Sequence, residues 1–98
     1  MNRHVKDWDY DELDYMRLMR ALLDRRIDAE TYQREFFSMN KKRALLSEEA
    51  SVIIQKAYGD ADDYDPILRL PHTIEERLRE LVAGSLKELE ALGHHVDE

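Results

Sequence analysis

Four aspartates, Asp60, Asp62, Asp63 and Asp65, fall within six consecutive positions, with Tyr58 ahead of them and Tyr64 among them. Carboxylates at this density can ligate a hard cation, act as general acids and bases, or present spaced negative charge to a basic partner. A calcium loop of the EF-hand kind needs glycine at its sixth position and a bidentate glutamate at its twelfth. Counted from Asp60, those positions hold Asp65 and Pro71, so the motif fails. The four histidines, His4, His72, His94 and His95, include no His-x-x-x-His pair, and there is no cysteine to complete a zinc site. On a helix, His94 and His95 would diverge by about 100°. Ser38, Ser47, Ser51 and Ser85 lie outside any G-x-S-x-G elbow. Gly-rich phosphate loops and the Glu-x-x-His pairs of di-iron bundles are also missing. The expectation is a chain that is not an enzyme and holds no metal or cofactor, leaving the aspartates either to present charge to a basic partner or simply to solvate a loop.

Charge is unevenly divided along the 98 residues, whose formal net value is −7. Met1–Leu46 carries nine acids and ten bases, whereas Ser47–Glu98 carries thirteen acids and five bases. Such an acidic chain is a poor match for a phosphate backbone, so no direct contact with nucleic acid is expected. Its length suits one domain, 1–98, with 1–10 and 93–98 flexible or peripheral. The first ten residues have no apolar core of a signal peptide, and no apolar run nears the roughly 20 residues of a membrane span. With no cysteine to staple a small fold, a cytoplasmic protein away from membranes is expected.

Helical spacing dominates the pattern that must position these residues. Tyr15, Met16, Leu18, Met19, Leu22 and Leu23 share one side of a helix from about Asp11 to Arg25, with Asp11 or a neighbour as cap and Arg25 and Arg26 in the last turn. Asp28 caps a second helix through about Lys42, with Tyr32, Phe36 and Met39 inward and Phe37 off that stripe. Ser47 starts a third, carrying Ala50, Ile53, Ile54 and Ala57, which Gly59 can end in the left-handed conformation. Thr73 and Glu76 form a capping box for the fourth, in which Ile74, Leu78, Leu81, Val82, Ser85, Leu89 and Leu92 share a face and Gly93 supplies the stop. Gly84 inside it is a candidate for a close helix crossing. Met16, Met19 and Met39 read as core fillers, and Trp8 as packing on the bundle. The fold expected is all-α, an antiparallel four-helix bundle with a long acidic loop between helices 3 and 4. In that loop Pro66 and Pro71 stiffen the chain, and Ile67, Leu68 and Leu70 tack it to the core.

Composition alone favours a solvated loop that keeps the protein soluble. Three segments, however, give the sequence a resemblance to the colicin D-type immunity proteins, including those of contact-dependent growth inhibition systems. They are LLDRRIDAETYQREFF at Leu22–Phe37, AYGDADDYD at Ala57–Asp65 and TIEERLRELVAGSLKEL at Thr73–Leu89. The resemblance implies a small non-enzymatic helical protein that binds the C-terminal nuclease domain of a cognate toxin, often a tRNase. Acidic residues would then occupy the basic active-site cleft in place of RNA phosphates. Carried over by position, the toxin-binding candidates are Tyr58, Asp60, Asp62, Asp63, Tyr64 and Asp65, with Glu75, Glu76 and Glu80 in second rank. Outside the complex the chain is expected to be a monomer. The alternative is a regulatory or adaptor bundle that binds another protein through an apolar groove.

Overall fold

Three of the helix starts are made by side chains that accept from backbone amides three residues ahead. The computed structural model describes residues 10–42, 44–65, 67 and 74–94. Among these, four helices make up most of the chain: α1 Glu12–Leu23, α2 Ala29–Asn40, α3 Glu48–Asp63 and α4 Glu75–Ala91. Asp11 and Asp14 form a reciprocal capping box, the Asp11 carboxylate accepting from the Asp14 amide at 3.3 Å and the Asp14 carboxylate from the Asp11 amide at 2.9 Å. Asp28 accepts from the Thr31 amide at 2.8 Å, and Ser47 Oγ from the Ala50 amide at 3.1 Å. Each bond satisfies an amide that the helix leaves free.

The α1–α2 turn departs from expectation. α1 ends at Leu23, so Arg25 and Arg26 lie beyond its last turn. Arg25 adopts φ 61, with its amide donating to the Leu22 carbonyl and the Arg26 amide to that of Ala21. This is a Schellman closure with arginine where glycine is usual. Gly93 closes α4 the same way, with φ 102 and its amide on Glu90.

Each helix turns a stripe inward: Tyr15, Met16, Met19 and Leu22; Ala29, Tyr32, Phe36 and Met39; Ala50, Ile54, Ala57 and Ala61; Leu78, Val82, Leu86 and Leu89. α1 packs against α2 and α4, and α3 packs against α2 and α4, which closes the ring around this core. The methionines fill it as expected, with Met16 and Met19 fully buried. Leu18, Leu23 and Ile53 reach it only in part, and Ile74 and Leu92 are exposed.

Two short strands, β1 Tyr10–Asp11 and β2 Ala44–Leu45, pair in parallel immediately before α1 and α3. The periodicity gave no sign of them, because two residues are too few to alternate. Glu12 extends this corner by accepting from the Ser47 amide at 3.1 Å and lying 3.8 Å from His94 Nε2. Tyr10, Gly93 and His94 thus belong to the fold, where a peripheral or frayed tail was expected; Trp8, His4 and His95 lie outside the described residues.

Helix α3 does not stop at Gly59. It continues to Asp63, because Ala57 and Ala61 keep the inward stripe going and Gly59 faces open space. That burial outweighs the roughly 1 kcal/mol cost of an interior glycine. Tyr64, extended at φ −67 and ψ 126, makes the end, and the proline after Asp65 disfavours further helix. Asp60, Asp62 and Asp63 therefore ride on a helix, not on a loop. Ile67 is 85% exposed and tacks nothing to the core; Pro66, Leu68, Leu70, Pro71, His72 and Thr73 lie outside the described residues. α4 begins at Glu75 with Ile74 in the cap position and no side-chain bond, one residue later than the expected box would start it. A Cβ on Gly84 would meet nothing within 4 Å, so no close crossing depends on that glycine.

Candidate functional site

The last turns of α3 are held from two directions. The Gln33 amide on α2 donates to the carbonyl oxygens of Ala61 at 2.8 Å and Tyr64 at 3.0 Å. Both lie at the end of α3; the Ala61 carbonyl also accepts from the Tyr64 amide at 3.2 Å, and Gln33 adds a second bond there. One turn earlier, the Tyr58 ring lies 5.2 Å from that of Phe37 and 6.2 Å from that of Phe36. Phe36 in turn packs against Tyr15 and Tyr32 in the core, at 5.2 and 5.6 Å. The acidic segment is thus a rigid extension of the core.

Its four aspartates fall into three situations. Asp60 is half-buried and paired with Lys56 Nζ at 3.0 Å. Asp65 accepts from the Ile67 amide at 2.9 Å. Asp62 and Asp63 are exposed and, among the described residues, have no ion-pair partner.

Tyr64 is where separate elements converge. Its pKa is raised above the ordinary tyrosine value by burial first, and then by the charges of Glu75, Glu30, Asp28 and Asp65. Carboxylates from the start of α2, just past the end of α3 and the start of α4 thus act on one ring, and the Gln33–Tyr64 and Glu75–Ala29 bonds tie these segments together. Sequence reasoning missed Glu30 altogether and read Asp28 only as a cap. The bonds from Gln33 to the Ala61 and Tyr64 carbonyls place the start of α2 beside the end of α3, a proximity that residue spacing alone does not report. Asp28 itself is held below the ordinary carboxylate range by the Thr31 amide and hydroxyl, with Arg34 adding a smaller effect.

The three glutamates of α4 separate by role. Glu75 Oε1 accepts from the Ala29 amide at 3.2 Å, while Oε2 pairs with Arg79. Arg79, only 9% exposed, donates Nε to the Leu22 carbonyl at 3.1 Å. One buried arginine and its glutamate so join the end of α1, the start of α2 and the start of α4. Arg79 also missed detection, since it occupies an inward position that the apolar pattern cannot report. Glu76 is exposed, 3.6 Å from Arg79 and 3.8 Å from Arg25, and Glu80 is exposed and paired with Arg77 at 3.0 Å. Tyr64, Asp65 and Glu75 thus come together, whereas Glu80 is drawn to its own helix face.

Among the described residues no cavity is found, and no three His, Asp or Glu side chains are grouped to hold a metal ion. No described helix is long and apolar enough to cross a membrane. Comparison with protein families, with curated proteins and with solved structures finds no match to this chain.

Proposed function

We propose that this chain is an immunity-type inhibitor: an antiparallel four-helix bundle that binds the nuclease domain of a cognate bacterial toxin, of the tRNA-cleaving kind, in the cytoplasm. The observation that carries this reading is the exposed pair Asp62 and Asp63, without an ion-pair partner among the described residues, on an end of α3 that Gln33 holds in place; the charges of Glu75, Glu30, Asp28 and Asp65 at Tyr64 add to it. A nuclease cleft is basic because it binds phosphate, and a fixed array of carboxylates complements it in the way a substrate does. Inhibition is then exclusion of RNA from the cleft, and needs no bond-making by this chain. The resemblance at Leu22–Phe37, Ala57–Asp65 and Thr73–Leu89 supports the same partner. Within the candidate set, Asp62, Asp63 and Tyr64 are the residues for direct contact, with Tyr58, Asp60, Asp65, Glu76 and Glu80 around them. Glu75 acts mainly as a strut, since both of its oxygens are engaged inside the fold.

The test is co-expression with a toxin nuclease domain found encoded beside this chain, scored by survival and by co-purification at low and high salt. Survival with a stoichiometric complex that weakens in salt is the expected result. No rescue and no complex would remove the inhibitor reading.

A further inference from the structure

Phe37 and Tyr58 meet across the α2–α3 seam with their planes tilted by 43°. Tyr58 is 36% exposed and Phe37 half-buried, so ring surface stays open to solvent while Phe36 backs Tyr58 from the core. A shelf fixed in this way loses little freedom when a partner lands on it. The faces of aromatic rings carry partial negative charge and attract cations, guanidinium more often than ammonium. Asp62 stands one turn beyond Tyr58 on α3, exposed and without an ion-pair partner among the described residues. Next to Phe37 one turn either way are Arg34 on α2 and Lys41 at its cap, both exposed. A cation is therefore drawn to the shelf from the α3 flank and repelled from the α2 flank.

We propose that the Phe37–Tyr58 shelf and Asp62 together receive an arginine side chain of a basic protein partner, the guanidinium lying on the rings with Asp62 as its counter-charge. The partner's identity rests on the inhibitor reading above; the preference for arginine rests on the shelf. Arginine is selected over lysine because its planar, weakly hydrated head stacks on a ring while keeping its edge free for a carboxylate. The carboxylates around Tyr64 attract any basic surface, and the shelf decides where that surface seats.

The experiment titrates the full chain with oligo-arginine and oligo-lysine peptides of equal length and follows side-chain proton signals by NMR. Oligo-arginine is expected to shift the ring protons of Tyr58 and Phe37 and to bind tighter than oligo-lysine by up to about fivefold, the ceiling set by a whole exposed cation–π contact. Tyr58→Leu is expected to abolish that preference, Tyr58→Phe to keep it, and Asp62→Asn to weaken binding of both peptides. Equal binding of the two peptides without ring shifts overturns the proposal. With the toxin domain, rescue by the wild-type chain and an unchanged Kd for Tyr58→Leu would overturn the shelf and leave the inhibitor reading standing. Failure of the wild-type chain to rescue, with the arginine preference intact, would overturn the inhibitor reading and the partner it names.

Discussion

Tyr32 lies wholly within the core, and its hydroxyl has no hydrogen-bond partner among the described residues. Burial, and then the charge of Asp60, push its pKa well above the ordinary tyrosine value. The neutral form is thus favoured in the fold, and the unfolded chain gives up this proton first as pH rises. Stability is therefore whole below the ordinary tyrosine pKa and falls above it. Tyr32→Phe should raise neutral-pH stability by about 1 kcal/mol, since it removes a desolvated hydroxyl without leaving a partner unpaired. It should also move the alkaline unfolding midpoint upward, which circular dichroism against pH would reveal; an unchanged midpoint would mean that the hydroxyl is solvated. Tyr15 is shifted the same way, mainly by burial, so some alkaline sensitivity will remain. Arg25 offers a second test at this scale. Its left-handed backbone costs a non-glycine residue about 1–2 kcal/mol, whereas glycine adopts it freely but is more flexible when unfolded. Arg25→Gly should therefore raise the thermal midpoint by a net of about 1 kcal/mol, read by calorimetry, with only an exposed 3.8 Å pairing to Glu76 given up.

Helix ends dominate the next scale up. Asp28 starts α2 and also stands in the acidic gathering at Tyr64. Its depressed pKa means that its contribution to stability is complete above the ordinary aspartate value and disappears as pH falls through the lowered one. Asparagine caps a helix about as well but does not titrate in this range. Asp28→Asn should leave neutral-pH stability nearly unchanged and flatten the acid limb of the stability curve; an identical acid limb would remove this bond from the account. The opposite end of α3 shows how an element boundary is set from outside. A stop at Gly59 agrees with the residue types, yet Ala61 still packs inward and Gln33 accepts the role of partner to the last carbonyls by donating to them. One more turn of helix is the outcome, and it carries Asp60, Asp62 and Asp63 with it.

At the scale of the whole molecule, the excess of acid lies in the second half of the sequence, and Asp62 and Asp63 present part of it to solvent. Long-range attraction between it and a basic partner acts mainly on the association rate and is screened by salt over about 10 Å at 0.1 M. On the inhibitor reading proposed above, Asp62→Asn with Asp63→Asn should slow association with the toxin partner several-fold at low salt, flatten the salt dependence and leave helicity intact. An unchanged on-rate would take these two residues out of the encounter. Asp65 is a less clean choice for this test, because its carboxylate also holds the Ile67 amide.

The sequence by itself determined three of the four helix starts and most of the core. Asp11, Asp28 and Ser47 cap through bonds that span three residues, and the stripes of Tyr15, Phe36, Ile54 and Val82 follow from helical period alone. Both are short-range properties, so residue type and spacing suffice to read them. Tertiary structure decided the end of α3, the pairing of Tyr10 with Ala44, the inward Arg79 and the capture of Glu75 by Ala29. It also decided that the charges of Asp28, Glu30 and Glu75 act on Tyr64 together with that of Asp65, through segments joined by the Glu75–Ala29 and Gln33–Tyr64 bonds. Each of these depends on partners tens of residues away. A polar or charged side chain takes its role from the groups that satisfy it, and those are known only once the helices have packed.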